Sequence, residues 1–224
     1  MTKPREITGA IFDLDGTLFD SMGVWHGFGA RYLKEFHSIE ARPEMDDVIH
    51  TLSIWEAADY FRQEYGVTTP QAQIVDEVNH MIEEEYFFRI HAKPGAIALL
   101  EKLQEKGVRM CVATATDRYQ VEAALKREGM DGFFGKLFTS SEVGSGKQNP
   151  EIYLRAREFL GTSPETTWIF EDMLYAVKTA VKAGFPVVAV QDRYSLHHAA
   201  ELRNLAAFYA ENHEEIAAFF GLKE

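Results

Sequence analysis

Ile7-Thr8-Gly9-Ala10-Ile11-Phe12, running into Asp13-Leu14-Asp15-Gly16-Thr17, is the stretch on which the reading of this 224-residue chain turns. The first six residues form a short apolar run of the kind that makes a buried strand. Side chains two apart on extended backbone point the same way, so Asp13 and Asp15 are expected to project together from the strand's carboxyl end. Gly16 lets the chain turn sharply and approach a ligand closely. Paired carboxylates where a parallel strand opens into a loop suit metal-assisted chemistry on an anion. The same residues also fit an Asp-Gly turn closing a hairpin.

Downstream, from about Pro94, helix and strand patterns alternate with clear punctuation. A helix from Pro94 stops at Gly107, and Val108 to Ala113 reads as a buried strand. A helix over Asp117 to Glu128 ends at Gly129, and Lys136 to Thr139 reads as a short strand. Asn149 is placed to cap a helix that starts at Pro150 and ends near Gly161. Thr167 to Phe170, a helix over Asp172 to Ala183, and Pro186 to Val190 complete the series. Repeated βα units require crossovers back to the same edge, so the sheet is expected to be parallel and doubly wound.

Between the first strand and this series, residues 21–90 show no strand pattern. Val24, Phe28, Tyr32 and Phe36 recur at helical spacing, Ile54 to Tyr65 forms a helix ended by Gly66, and Thr69-Pro70 opens another. The stripe of the last helix is Ile74, Val78, Met81, Ile82 and Tyr86, read as core packing. The expectation is an all-helical cap inserted into an α/β core of residues 1–20 and 91–224, with hinges at Asp20 to Gly23 and Ile90 to Gly95.

Bulk properties narrow the function. The formal net charge of −12, with Lys and Arg scattered, argues against nucleic-acid binding. Cys111 is the single cysteine, which excludes an internal disulfide and a cysteine zinc cluster and suggests a buried, inert thiol. The amino terminus has no apolar signal core and no stretch approaches membrane-spanning length, so a cytoplasmic protein with no membrane partner is expected. A monomer is expected as well. His91, His197, His198 and His213 lack motif context and are expected at the surface.

Ligands bind doubly wound sheets at the strands' carboxyl ends. Those ends carry Asp13 and Asp15, then Thr114, then Glu171 and Asp172, with Lys147 in the Gly-rich segment Gly144 to Lys147. Each has a duller explanation alone: Thr114 as a helix cap, Lys147 as a solvated charge, Glu171-Asp172 as partners of a helix dipole. Their order along one edge is what informs.

That order resembles the haloacid dehalogenase superfamily, in the branch whose helical cap follows the first strand. The resemblance rests on Asp13-Leu-Asp-Gly-Thr17, Thr114 within Val112-Ala-Thr-Ala-Thr116, Lys147, and Glu171-Asp172 after Trp168-Ile-Phe170. It implies a Rossmann-like core and a Mg²⁺-dependent phosphatase acting on a small phosphomonoester. By the same resemblance Asp13 and Asp172 would hold the metal with the Asp15 carbonyl, and Glu171 would support them. Lys147, Thr114 and Ala115 would receive the phosphate. Asp13 would be the nucleophile, giving an aspartyl-phosphate, and Asp15 the acid and base.

Rival readings stay open at this stage. The β-phosphoglucomutases share all four motifs, but Trp25, Ile54 and Asp117 stand where they carry a histidine, an arginine and a lysine. A phospho-receiver module gathers similar residues but is usually near half this length. Met173 and Ala176 depart from the serine and glycine that usually follow Glu-Asp in this branch. For the cap side of the pocket the candidates are Trp25, His26, Ser53 and the segment His50 to Trp55. Few of them are basic, which suggests a small leaving group bearing hydroxyls or a ring and no second phosphate.

Overall fold

The computed structural model describes residues 5–49 and 51–222, with only the backbone of Asp47. His50, one of the candidate wall residues, lies outside them. Gly9–Phe12 (β1), Arg109–Thr114 (β2), Leu137–Thr139 (β3), Thr167–Glu171 (β4), Val187–Val190 (β5) and Phe208–Ala210 (β6) form one sheet. Its order is β3-β2-β1-β4-β5-β6, and every neighbouring pair is parallel.

Successive strand residues feed opposite faces. Ala10, Phe12, Met110, Val112, Trp168 and Phe170 pack into one apolar cluster. Ile11, Cys111, Ala113, Ile169, Val187 and Ala189 pack into the other. Both faces are covered by helices, which is why these strands read as continuous apolar runs rather than as alternating ones. Ala96–Glu105 (α6), Arg118–Arg127 (α7) and His213–Phe219 (α12) lie on the first face. Glu151–Leu160 (α9), Leu174–Lys182 (α10) and Ala199–Leu205 (α11) lie on the second. A short turn of helix, Ser140–Val143 (α8), follows β3.

The block after β1 is helical throughout: Met22–Trp25 (α1), Phe28–His37 (α2), Met45–Ile49 (α3), Ile54–Tyr65 (α4) and Gln71–Phe88 (α5). It has a core of its own, built around Tyr32, Leu33, Phe61, Ile74 and Val78. The single helix expected through Val24 and Phe36 is broken at Gly27, whose positive φ of 70° starts α2 afresh and whose N–H donates to Asp46. The two segments joining block and sheet run side by side. Asp20 N–H donates to His91 carbonyl at 3.0 Å, and Lys93 N–H to Leu18 carbonyl at 2.8 Å. Lys93 Nζ reaches the Gly16 carbonyl and the buried Asp192 carboxylate.

Three expectations change. The strand β6 and the two helices flanking it extend the sheet beyond Val190. The helix expected from Asp172 starts at Leu174, because Glu171 Oε2 accepts the N–H groups of both Asp172 and Met173. His213 is buried rather than superficial, and its ring nitrogens lie 3.1 Å from the carbonyl oxygens of Pro94 and Thr17. No helix among the described residues is long and apolar enough to cross a membrane.

Candidate active site

The chain turns to one side of β1 through β2 and β3, then returns to its other side at β4. This reversal leaves a crevice beyond the carboxyl ends of β1 and β4. Asp13 follows β1 directly, with its N–H bonded to Phe170 carbonyl at 2.9 Å. Glu171 ends β4, and Asp172 comes next. Lys147 arrives from the loop between α8 and α9 and is buried against the carboxylates of Asp13 and Glu171, the latter at 2.7 Å.

The carboxylates are not equivalent. Glu171 is fully engaged, with Oε1 taking Lys147 and Oε2 taking two backbone N–H groups. Asp172 is buried with neither oxygen hydrogen-bonded. Ligand oxygens of Asp13, Glu171 and Asp172 all lie within 4.8 Å of one another. Burial, then repulsion from Glu171 and Asp13, pushes the Asp172 carboxyl well above the usual carboxylate range. Burial does the same to Asp13, and Lys147 offsets it only in part. Burial works against the Lys147 ammonium, yet Asp13 and Glu171 outweigh it and keep the proton on.

Such a cluster has more negative charge than its single ammonium balances, and it presents hard oxygen donors. Both features fit Mg²⁺. Gly16 adds to the fit: its φ is +80°, and a Cβ there would run into the Asp172 carboxylate.

Asp15 has a separate set of partners. Three hydroxyls donate to it: Ser21 at 2.6 Å, Tyr86 at 2.5 Å and Thr116 at 2.6 Å. Burial and the nearby Asp15 push the Tyr86 phenol well up, so it stays a donor. Tyr86, Thr116 and Ser21 were not singled out from sequence. Tyr86 was hidden within a helical apolar stripe, whereas Thr116 lies two residues past Thr114 in the same motif.

Asp13, Asp15, Lys147, Glu171, Ala115, Thr116 and Trp25 line one cleft of about 590 Å³ of empty space, its open mouth included. Thr114 is fully buried behind it, and its Oγ1 accepts the Thr116 N–H at 3.1 Å. Ser53 is off the wall: it caps α4 in a reciprocal pair with Glu56. His26 lines a neighbouring cleft, its ring 5.0 Å from that of Tyr194. Glu56 in turn accepts from Gln148, tying the helical block to the residue beside Lys147.

A doubly wound sheet that gathers carboxylates, a buried lysine and hydroxyl donors at its switch point defines an enzyme built to handle an anion with cationic help. The model of the haloacid dehalogenase-like hydrolases matches residues 10–190, and the chain belongs to that family. Hexitol phosphatase A of Escherichia coli strain K12 is 30% identical over 189 residues, 81% of this chain and 82% of that protein. The phosphorylated carbohydrates phosphatase of Thermotoga maritima is 25% identical over 186 residues, 78% of this chain and 80% of its own. The fold is shared with CbbY from Rhodobacter sphaeroides in complex with phosphate, at a TM-score of 0.81 and 22% identity, covering 96% of this chain and 100% of that one.

Proposed function

We propose that this hydrolase is a Mg²⁺-dependent phosphatase that cleaves a small phosphomonoester by way of a phosphoryl group carried on Asp13. The observation that carries the reading is the meeting of Lys147, from a distant loop, with Asp13 and Glu171 beside the unpartnered Asp172 carboxylate. The phosphatases among its relatives support it.

When bound, Mg²⁺ supplies positive charge that offsets the phosphoryl oxygens, held by the Asp13 and Asp172 carboxylates and the Asp15 carbonyl. Lys147 adds its ammonium on the other side of Asp13. A carboxylate oxygen of Asp13 attacks phosphorus in line, and the bond from phosphorus to the ester oxygen breaks. Asp15 gives its proton to the departing alkoxide. Water then attacks the same phosphorus, Asp15 takes a proton from it, and phosphate leaves with Asp13 restored. Ser21, Tyr86 and Thr116 hold the Asp15 carboxyl in one orientation through both steps. Residues 21–90 act as the lid that excludes bulk water while this happens.

A mutase needs a place for a second phosphate, and three positions argue against one. The Trp25 indole N–H donates to Tyr86, Ile54 belongs to an apolar wall, and Asp117 accepts from Asn79 and Ser141. The test is a Mg²⁺-dependent phosphate-release screen over sugar phosphates, nucleotides and small metabolite phosphates. Asp13→Asn serves as control and is expected to abolish steady-state turnover with an unchanged circular dichroism spectrum. Full activity in that variant would remove Asp13 as nucleophile.

A further inference from the structure

The floor and roof of the cleft differ in chemistry. The floor carries the charged and hydroxyl groups described above. The roof comes from the helical block and includes Trp25, Phe28, Ile49, Leu52 and Ile54. The indole N–H of Trp25 is already committed to the Tyr86 hydroxyl at 2.7 Å, and that hydroxyl donates to Asp15. Ser53 sits between Leu52 and Ile54 but turns its hydroxyl to Glu56 at 2.8 Å. His26 and Asp46 open to the neighbouring cleft. Among the described residues, the roof therefore leaves no side-chain N–H or O–H for a ligand. On the core side, Tyr175 is the polar side chain that the wall adds to the catalytic set.

Resting on the phosphatase reading, we propose that the substrate is the phosphomonoester of a compact apolar alcohol, branched or carbocyclic, and that sugar and polyol phosphates are poor substrates. A hydroxyl pressed against Trp25, Phe28, Ile49, Leu52 or Ile54 would give up water without gaining a side-chain partner among the described residues. An apolar wall discriminates against one added hydroxyl by up to about 10²-fold, and a sugar carries several. The enclosed part of the cleft is small, with about 70 Å³ of room for the centres of water-sized groups, which favours a compact leaving group.

The experiment compares kcat/KM with Mg²⁺ for cyclohexylmethyl phosphate, glucose 6-phosphate and sorbitol 6-phosphate. All three release a primary alkoxide, so the intrinsic lability of the ester bond is matched. The apolar ester is expected to lead by at least about 100-fold. A ratio within about tenfold of unity, or a lead for either sugar ester, overturns the inference and leaves the phosphatase reading standing. Turnover of p-nitrophenyl phosphate with none of cyclohexylmethyl phosphate overturns it as well. No phosphate from any of the four overturns the phosphatase reading itself, and this inference with it. Leu52→Gln, outside any helix, is expected to raise KM for the apolar ester and shrink the ratio about tenfold; an unchanged ratio means that the roof does not touch the leaving group and refutes the proposal.

Discussion

Replacing Lys147 with methionine keeps an unbranched stem out to Cε and removes the ammonium buried among carboxylates. Lys147 is 3% exposed, Asp13 6% and Glu171 1%, so solvent does little to screen what remains. Removing one partner of a buried ion pair costs about 3–5 kcal/mol, since the remaining charge stays desolvated and unpaired. For a chain of this size each kcal/mol lowers Tm by about 2–4 °C, which makes the expected drop roughly 6–20 °C. Thermal melts followed by circular dichroism at pH 7 measure it. Adding Glu171→Gln returns part of the loss, because an unpaired charge disappears with it. Phosphate release falls in parallel, since the phosphoryl oxygens lose a positive neighbour. A Tm within about 2 °C of the parent, with activity retained, would refute the electrostatic account of the site.

Tyr86→Phe keeps the ring and deletes one hydroxyl donor to Asp15; kcat is expected to fall roughly 10- to 150-fold with KM little changed, as loss of about 1.5–3 kcal/mol of charge-assisted hydrogen bonding implies, and a change confined to KM would contradict it. Asp172→Asn is expected to raise the Mg²⁺ concentration for half-maximal activity at least about tenfold, and an unaltered titration removes Asp172 from the ligand set. His213 is pulled below its ordinary value, chiefly by burial and also by Lys93, against the two carbonyls that favour imidazolium. Below about pH 6.5 the unfolded chain therefore binds a proton that the folded one resists, and stability is expected to fall with pH there. His213→Gln should flatten that part of a denaturation series, and equal slopes in both proteins would assign the loss to another group.

Much of this was legible from local pattern. The parallel core could be read because its strands are buried on both faces and its helices end at glycines such as Gly129 and Gly161, whose positive φ other residues adopt only with strain. Asp13, Glu171, Asp172 and Lys147 were legible because each stands at a strand end or in a glycine-rich loop, where side chains are exposed to function rather than to packing. The break at Gly27 was missed because the apolar spacing runs straight across it. Strand β6 was missed because three residues, Phe208 to Ala210, hold too little pattern to stand out.

Residue types and their spacing along the chain determined that carboxylates would gather at the mouth of a parallel sheet, since strand and turn geometry are set by near neighbours. Only the tertiary structure decided which oxygens remain available. Tyr86 reaches Asp15 across 71 positions and Thr116 across 101, while Glu171 spends its own oxygens on the backbone and Lys147. The turn of Ser53 toward Glu56 and the apolar roof arise in the same way. Both depend on how helices pack against one another, and packing is governed by shape and desolvation across the whole molecule rather than by any short run of residues.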